Sequence, residues 1–388
     1  MKTDLHTIKH RHHGSCSLGS CLHKPIRRFR FVGTRTEATR TEAMTGTMAF
    51  RSIFIAIILL LSAAGSFAQD INFTQFYELP LLRNSALAGL FKGDVRVMSA
   101  MRSQWGSVTV PYQTQALGAE IRIPFLKNDF FCAGVQLTND IAGDSKLGRT
   151  QLLGMLAFNK CLNEDHNTFL SIGVLGGAVQ QRFDPTNLKF DDQFVNGTYS
   201  ASNPTQQTFA SQKLRYPDFN TGLSLSSEIG NTQCYIGAAY FHLNQPMVAF
   251  DPNNDFLLNK KLVFNAGLNI PSGYKNRIII YLDVFMQGGN HQGQGGFLFK
   301  HDLYEPEDEE MPQLCISAGS FYRWKDAVIP VIKFDYYKWT LGVSYDVNIS
   351  KLKPASQLRG AYEVTLCYRD FIEAFSNRSD KTRCPVKF

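Results

Sequence analysis

The sequence predicts an all-β fold: a transmembrane, antiparallel, up-and-down β-barrel of about 14 strands. Three observations carry this. An export-type leader precedes residue 69; the rest of the chain alternates with period two; and the connections are long on one side and short on the other. The chain has 388 residues and a formal net charge of +7. Ten basic and three acidic residues lie in 1–68, so 69–388 holds 30 of each and is neutral. The basicity therefore belongs to the N-terminus. It does not describe a body with the basic face that nucleic-acid binding needs. No apolar run reaches 18 residues, which argues against a helical span but not against a barrel, whose strands are only half apolar.

Residues 1–68 read as a leader. Arg51 precedes the apolar run Ile53–Leu61, and small residues at Ser66 and Ala68 follow, the pattern of a secretory signal peptide. Cleavage is expected between Ala68 and Gln69. No Cys follows that site, so no lipoprotein anchor is expected. Residues 1–43 contain His10, His12, His13, Cys16 and Cys21, and read as an unusually long leader or as sequence upstream of the true start at Met44 or Met48. Residues 69–93 lack clean alternation but hold Phe73, Phe76, Tyr77, Leu79, Leu81 and Leu82. They are expected to tuck into the lumen or cap the periplasmic mouth, with a mobile tail as the alternative.

The barrel is expected over 94–370. Trp339, Leu341, Val343, Tyr345 and Val347 alternate with Thr340, Gly342, Ser344, Asp346 and Asn348. Leu262 to Ile270, Leu117 to Ile123 and Phe131 to Leu137 repeat the pattern, and Ile278 to Met286 gives a further apolar stripe. The non-apolar face is rich in Gly, Ser, Asn and isolated charges. Several segments reach ten residues, the length a tilted strand needs to cross a bilayer. Fourteen segments follow: about 94–105, 113–124, 129–140, 149–160, 167–182, 215–228, 232–243, 260–271, 276–287, 292–302, 313–322, 327–335, 338–348 and 360–370. An even count returns both termini to the periplasm, leaving 371–388 as a periplasmic tail. Closure satisfies every backbone group, and outer-membrane lipid is the solvent of the apolar face. Trp105, Tyr112, Phe125, Phe158, Tyr240, Tyr336, Tyr337, Trp339 and Tyr368 fall near strand ends, as aromatic girdles require.

With this orientation the longest connections, about 183–214 and 244–259, face outward. The first carries Phe183, Phe190, Phe194, Tyr199 and Phe209, and the second Met247, Phe250 and Phe256. Exposed aromatics are enriched at interfaces, so these residues form the best partner surface; a loop folded onto the mouth by its own aromatics is the other reading. The connection at about 303–312 holds the acidic run Glu305–Glu310 on the periplasmic side. It reads as a solvated charge run, with a basic partner or Ca²⁺ as the functional alternative.

The mature chain resembles the PorP/SprF outer-membrane proteins of the type IX secretion system, associated with gliding motility. The resemblance rests on Gln75-Phe76-Tyr77, Asn84-Ser85-Ala86-Leu87-Ala88-Gly89 and Arg102-Ser103-Gln104-Trp105. It continues through Pro217 to Gly222, Tyr235-Ile236-Gly237, His242 to Pro246, Gly342 to Asn348, Leu352, Glu363, Tyr368 and Cys384-Pro385. Ser85 stands where the family usually has Pro, and Val386 departs from the family's ending. The resemblance implies a fourteen-stranded barrel that binds, anchors or helps export secreted cargo, such as an adhesin, through its C-terminal sorting domain. A periplasmic peptidoglycan-binding lipoprotein is a second possible partner. No catalysis and no cofactor are implied.

Other chemistries are weaker. The mature chain has only His166, His242, His291 and His301, with no phosphate loop or nucleophile elbow around them. Asp251, Asn253 and Asp255 lack the Gly and bidentate Glu of a calcium loop, so no metal is expected. A diffusion porin is the alternative function. Alternation puts Glu120, Arg122, Asp283 and Asp346 on the lumen face, where they either tune solute passage or fill a closed interior; the closed interior is expected. Cys132 and Cys161 fall near facing ends of one hairpin, which makes a cross-strand bridge conceivable.

Overall fold

The computed structural model describes residues 70–107, 110–126, 128–251, 253–304, 314–351 and 353–372. The cleavage pair Ala68 and Gln69, the acidic run Glu305–Glu310, Leu352 and the C-terminal Cys384-Pro385 lie outside the described residues. The strands are β1 (Val95–Gln104), β2 (Tyr112–Pro124), β3 (Phe130–Ala142), β4 (Leu147–Asn163), β5 (Thr168–Arg182), β6 (Phe194–Val195), β7 (Thr198–Tyr199) and β8 (Lys213–Ile229). They continue as β9 (Thr232–Phe241), β10 (Lys261–Pro271), β11 (Asn276–Gln287), β12 (Asn290–Tyr304), β13 (Leu314–Arg323), β14 (Ala327–Tyr336), β15 (Trp339–Asn348) and β16 (Arg359–Asp370). Fourteen of them form one closed antiparallel barrel, and β6 pairs only with β7 as a separate two-stranded ribbon. Closure is made by β1, which pairs with β2 on one side (Val95 opposite Ile121) and with β16 on the other (Val95 opposite Asp370). Each segment expected from the alternation is a wall strand. The largest extensions are in β4, which runs 147–163 against the expected 149–160, and in β12, which runs 290–304 against 292–302.

The period-two pattern resolves into an inside and an outside. In β15 every second residue from Thr340 is buried, while Trp339, Leu341, Val343 and Tyr345 are exposed. The fully buried wall residues include polar ones, such as Gln136, Asn159, Ser171, Asp218, Ser226 and Glu363, whereas Leu152, Leu156, Ile172, Leu223 and Ile236 are more than half exposed. This inverts a soluble core and fits a wall that faces hydrocarbon outside and polar groups inside. No helix among the described residues is long and apolar enough to cross a membrane, which leaves the strands to do so. Aromatic pairs mark both rims. Trp105 and Tyr112 meet at 4.9 Å at the end with the longest loops, and Trp339 and Tyr368 meet at 4.8 Å at the short-turn end.

The lumen is filled by the chain itself. Residues 70–93 form three short 3-10 turns, Phe76–Glu78, Pro80–Leu82 and Ser85–Leu87. Pro80 starts the second turn, and the Asn84 side chain accepts from the Ala86 amide to open the third. Phe73, Phe76, Leu79, Leu81, Leu87 and Phe91 are all buried. Phe76, Tyr77, Leu87 and Leu90 pack on Tyr281, Leu298, Phe321 and Ile329 of the wall. Leu81 and Ala88 pack on Phe130, Leu153 and Phe169. Burying these large side chains, at about 1.5–3 kcal/mol each, is what draws the segment out of water. The segment runs the length of the barrel. The Asp94 amide donates to Asp370 O at the short-turn end, and Asp70 reaches the ends of β9 and β11 beside the long loops.

Cys132 and Cys161 are not bridged to each other. Register explains this: Cys132 lies opposite Ala157 and Cys161 opposite Phe169, so the cross-strand bridge conceived from spacing does not form.

Candidate functional site

The site is the lock between the N-terminal plug and the lumen wall, together with the loop mouth above it. Three buried charge clusters make the lock. At mid-height the Arg83 guanidinium forks onto Asp283, its Nε donating at 2.7 Å, while its Nη2 also reaches Tyr235 Oη at 3.2 Å. Its plane lies 4.7 Å from the Phe76 ring. Such bidentate pairs combine charge with fixed direction.

In the second cluster, Glu363 of β16 accepts the backbone amides of Thr74 and Gln75, both at 2.7 Å. Arg102 of β1 sits 3.3 Å from Glu363 and 2.8 Å from Asp346 of β15. Arg323 of β13 reaches the same Asp346 at 3.0 Å. Thr74 Oγ1 donates to Asp346 at 2.8 Å and accepts from Arg323 at 2.8 Å and from Arg102. Four wall residues from four strands thus converge on two plug residues. Each buried charge has a partner, the condition for leaving it in a low-dielectric interior.

The third cluster lies at the loop end. His242 follows β9 in a left-handed conformation (φ 59°), held by its amide donating to Asn220 at 2.9 Å. Its Nδ1 meets Asp218 at 2.9 Å and its Nε2 meets Asp70 at 2.8 Å. Arg149 lies 2.6 Å and Lys261 3.6 Å from Asp70. Burial alone would favour neutral imidazole, but Asp70 and Asp218 push the His242 pKa up to about 9. Burial likewise opposes the Asp70 charge, and Arg149, Lys261 and His242 outweigh it, holding that carboxyl well below its usual range. The plug's first described residue is thus fixed by charge at neutral pH.

Small residues make room. A Cβ on Gly173 would overlap the backbone of Ser85 and Ala86, and Cβ atoms on Gly222 and Gly237 would overlap the Asn84 side chain. That side chain donates to Leu223 O at 3.0 Å, seating the plug's third turn against β8 and β9.

The four lumen residues expected from alternation all touch the plug or its base. Glu120 is buried, pairs with Arg96 and accepts the Gly89 amide at 3.2 Å. Asp283 and Asp346 take Arg83 and Thr74, as above. Arg122 is half-buried, donates to Gly93 O at 3.2 Å and lies 4.5 Å from the Phe130 ring, clamping the foot of the plug. The sequence singled out Arg102, Asp218, His242 and Glu363 only as residues of the family resemblance, with no lumen role, and it did not single out Arg83, Arg323 or Asp70. Asp218, Arg323 and Glu363 lie on the buried face of β8, β13 and β16, so period two extended to those strands is the signal that could have found them.

The loop aromatics divide. Phe183 meets Phe209 at 5.2 Å and Phe250 at 4.8 Å, and Phe190 meets Phe209 at 5.9 Å, joining the two long loops by their own side chains. Phe194 and Tyr199 pair at 5.7 Å on the β6–β7 ribbon, which turns at Asn196-Gly197 with both φ values positive. Phe194, Met247 and Phe256 stay exposed, the latter two beside a bridge from Met247 to Leu257.

Fold and site together define a class: a transmembrane β-barrel of outer-membrane type, closed by its own N-terminal segment. A family model described as type IX secretion system membrane protein PorP/SprF matches residues 65–368, and the chain belongs to that family. No curated protein matches the chain. Among solved structures, the toluene transporter TbuX of Ralstonia pickettii is 10% identical with a TM-score of 0.42, covering 79% of this chain and 96% of that one. BamA from Haemophilus ducreyi lacking POTRA domains 1-3 is 10% identical with a TM-score of 0.37, covering 71% and 70%.

Proposed function

We propose that this barrel is a plugged outer-membrane anchor of the type IX system. It binds secreted cargo by a C-terminal sorting domain and holds or passes it at the loop-bearing mouth. The observation that supports the reading is the filled lumen. Residues 70–93 run through the barrel from the short-turn end to the long loops and are fixed along the way by the ion pairs Asp70–Arg149, Glu78–Lys333 and Arg83–Asp283. A macromolecular partner is therefore offered the mouth, where Phe194, Met247 and Phe256 are exposed on loops already braced by the Phe183–Phe209–Phe250 cluster. Preorganised loops with exposed apolar anchors suit protein recognition. The same filling disfavours the porin alternative, which needs a water-filled path. The role is non-catalytic, and export by the 1–68 leader belongs to the same reading.

The test is gentle detergent purification of the tagged protein from its native membrane, with mass spectrometry of what is retained. Near-stoichiometric recovery of a large secreted protein, lost on replacing Phe194, Met247 and Phe256 by Ser, supports the anchor. Recovery unchanged by those substitutions sinks the mouth as the contact.

A further inference from the structure

The charge clusters of the lock leave one imbalance. In the short-turn half of the barrel a cavity of about 70 Å³ separates the plug from the wall. Arg83, Arg96, Lys300, Lys333 and Arg369 line it. Arg83, Arg96 and Lys333 each have their own carboxylate, in Asp283, Glu120 and Glu78. Lys300 and Arg369 share one. Asp335 lies 2.7 Å from Lys300 and 3.7 Å from Arg369. Asp335 is further engaged by Thr340 Oγ1 at 2.6 Å, and Thr340 in turn accepts from Arg369 at 2.7 Å. Among the described residues, the lining groups and their ion-pair partners count five cations against four carboxylates.

A second, independent feature points into the same space. Tyr77 of the plug lines the cavity and is 7% exposed, yet its hydroxyl has no hydrogen-bond partner among the described residues. Its ring is fixed by stacking on Tyr281 at 4.7 Å and on Phe321 at 5.2 Å, so the hydroxyl cannot swing away to find one. A buried donor left unmade is costly, and a buried cation without a full share of a carboxylate is costlier. One occupant relieves both: an acceptor-only anion. At roughly 10–15 Å³ per water the cavity has room for about five waters, or for one small oxyanion with water.

We propose that this cavity binds a small oxyanion, a phosphate or a carboxylate, between Lys300 and Arg369 of the wall and Tyr77 of the plug. The anion bridges plug and wall, so its occupancy sets how firmly the plug is seated.

The test uses the full mature protein in detergent, with inorganic phosphate and acetate as separate probes by titration calorimetry, against chloride at matched ionic strength. Saturable one-site binding of either probe is expected, with a matching rise in the thermal transition; the probe that binds tells phosphate from carboxylate. Tyr77→Phe removes one hydroxyl and no volume from the wall. It is expected to weaken the binding probe about tenfold, while the mobility of the unboiled protein on a denaturing gel stays unchanged. Lys300→Met with Arg369→Met is expected to abolish binding. Absence of saturable binding for both probes, or equal affinity in Tyr77→Phe and wild type, overturns the proposal.

Discussion

Glu363→Ala tests the lock at its most connected point. In the native lumen the Glu363 carboxylate accepts two plug amides at 2.7 Å each and faces Arg102 at 3.3 Å. The substitution removes all three and leaves Arg102 and Arg323 sharing the single buried carboxylate of Asp346. Two charge-assisted hydrogen bonds are worth roughly 1.5–3 kcal/mol each. Breaking a buried ion pair from one side costs about 3–5 kcal/mol. Taking the latter range, the undocked fraction of the plug rises about 150- to 4,000-fold. The wall is untouched, since Glu363 is bonded to the plug and to Arg102 rather than to the ladder through its side chain. The assay is tryptic cleavage after Arg83, a bond buried in the docked plug. Where docking is fast relative to cleavage, the rate follows the undocked population. Cleavage should accelerate by at least two orders of magnitude, with the unboiled barrel still migrating as a folded species. Equal rates in variant and wild type would refute the claim that these contacts hold the plug. Glu363→Gln should fall between, because its amide can accept one N–H while opposing the other.

Other outcomes follow from the same geometry. Gly173→Leu forces a side chain into the space held by Ser85 and Ala86, and should expose the Arg83 bond to trypsin while the barrel persists on unboiled gels. His242, raised to about 9 from an unfolded value near 6.5, contributes stability fully present below about pH 6.5 and lost as pH climbs through 9. Asp70, lowered in the fold, contributes stability present above its ordinary value and lost only in strong acid. The loop end of the plug should therefore stay docked from about pH 5 to 8 and loosen by at most about 3 kcal/mol toward pH 10. Tryptic or thermal measurements at both pH values check this, and His242→Asn should remove the alkaline step. The protein should run faster unboiled than boiled on a denaturing gel, because the closed ladder resists detergent at low temperature; unchanged mobility would count against the barrel.

The barrel was legible because a strand writes its two environments into alternate residues. Trp339 to Asn348 shows lipid and lumen faces without any knowledge of its neighbours, and so do the β2, β3 and β10 segments. The plug was legible only as an apolar stretch without a period. Its three-residue 3-10 turns are too short to carry one, and Asn84, Pro80 and the facing glycines explain them only once seated. Alternation told that Asp283 and Asp346 face inward. It could not tell that Arg83 and Thr74 meet them, since those pairs join residues 200 and 272 positions apart. The loop aromatics carried two readings, and both hold in part: Phe183, Phe190, Phe209 and Phe250 pack on one another, while Phe209 also stays exposed, as do Phe194, Met247 and Phe256.

The central claim is that the barrel is closed by its own N-terminal segment and meets partners at its mouth. The most direct measurement is conductance in a planar bilayer, comparing the mature protein with one lacking residues 70–92. The account predicts a quiet, closed intact protein and large stable openings once the segment is gone. A large, steady conductance in the intact protein would contradict the plug and return the porin reading to first place.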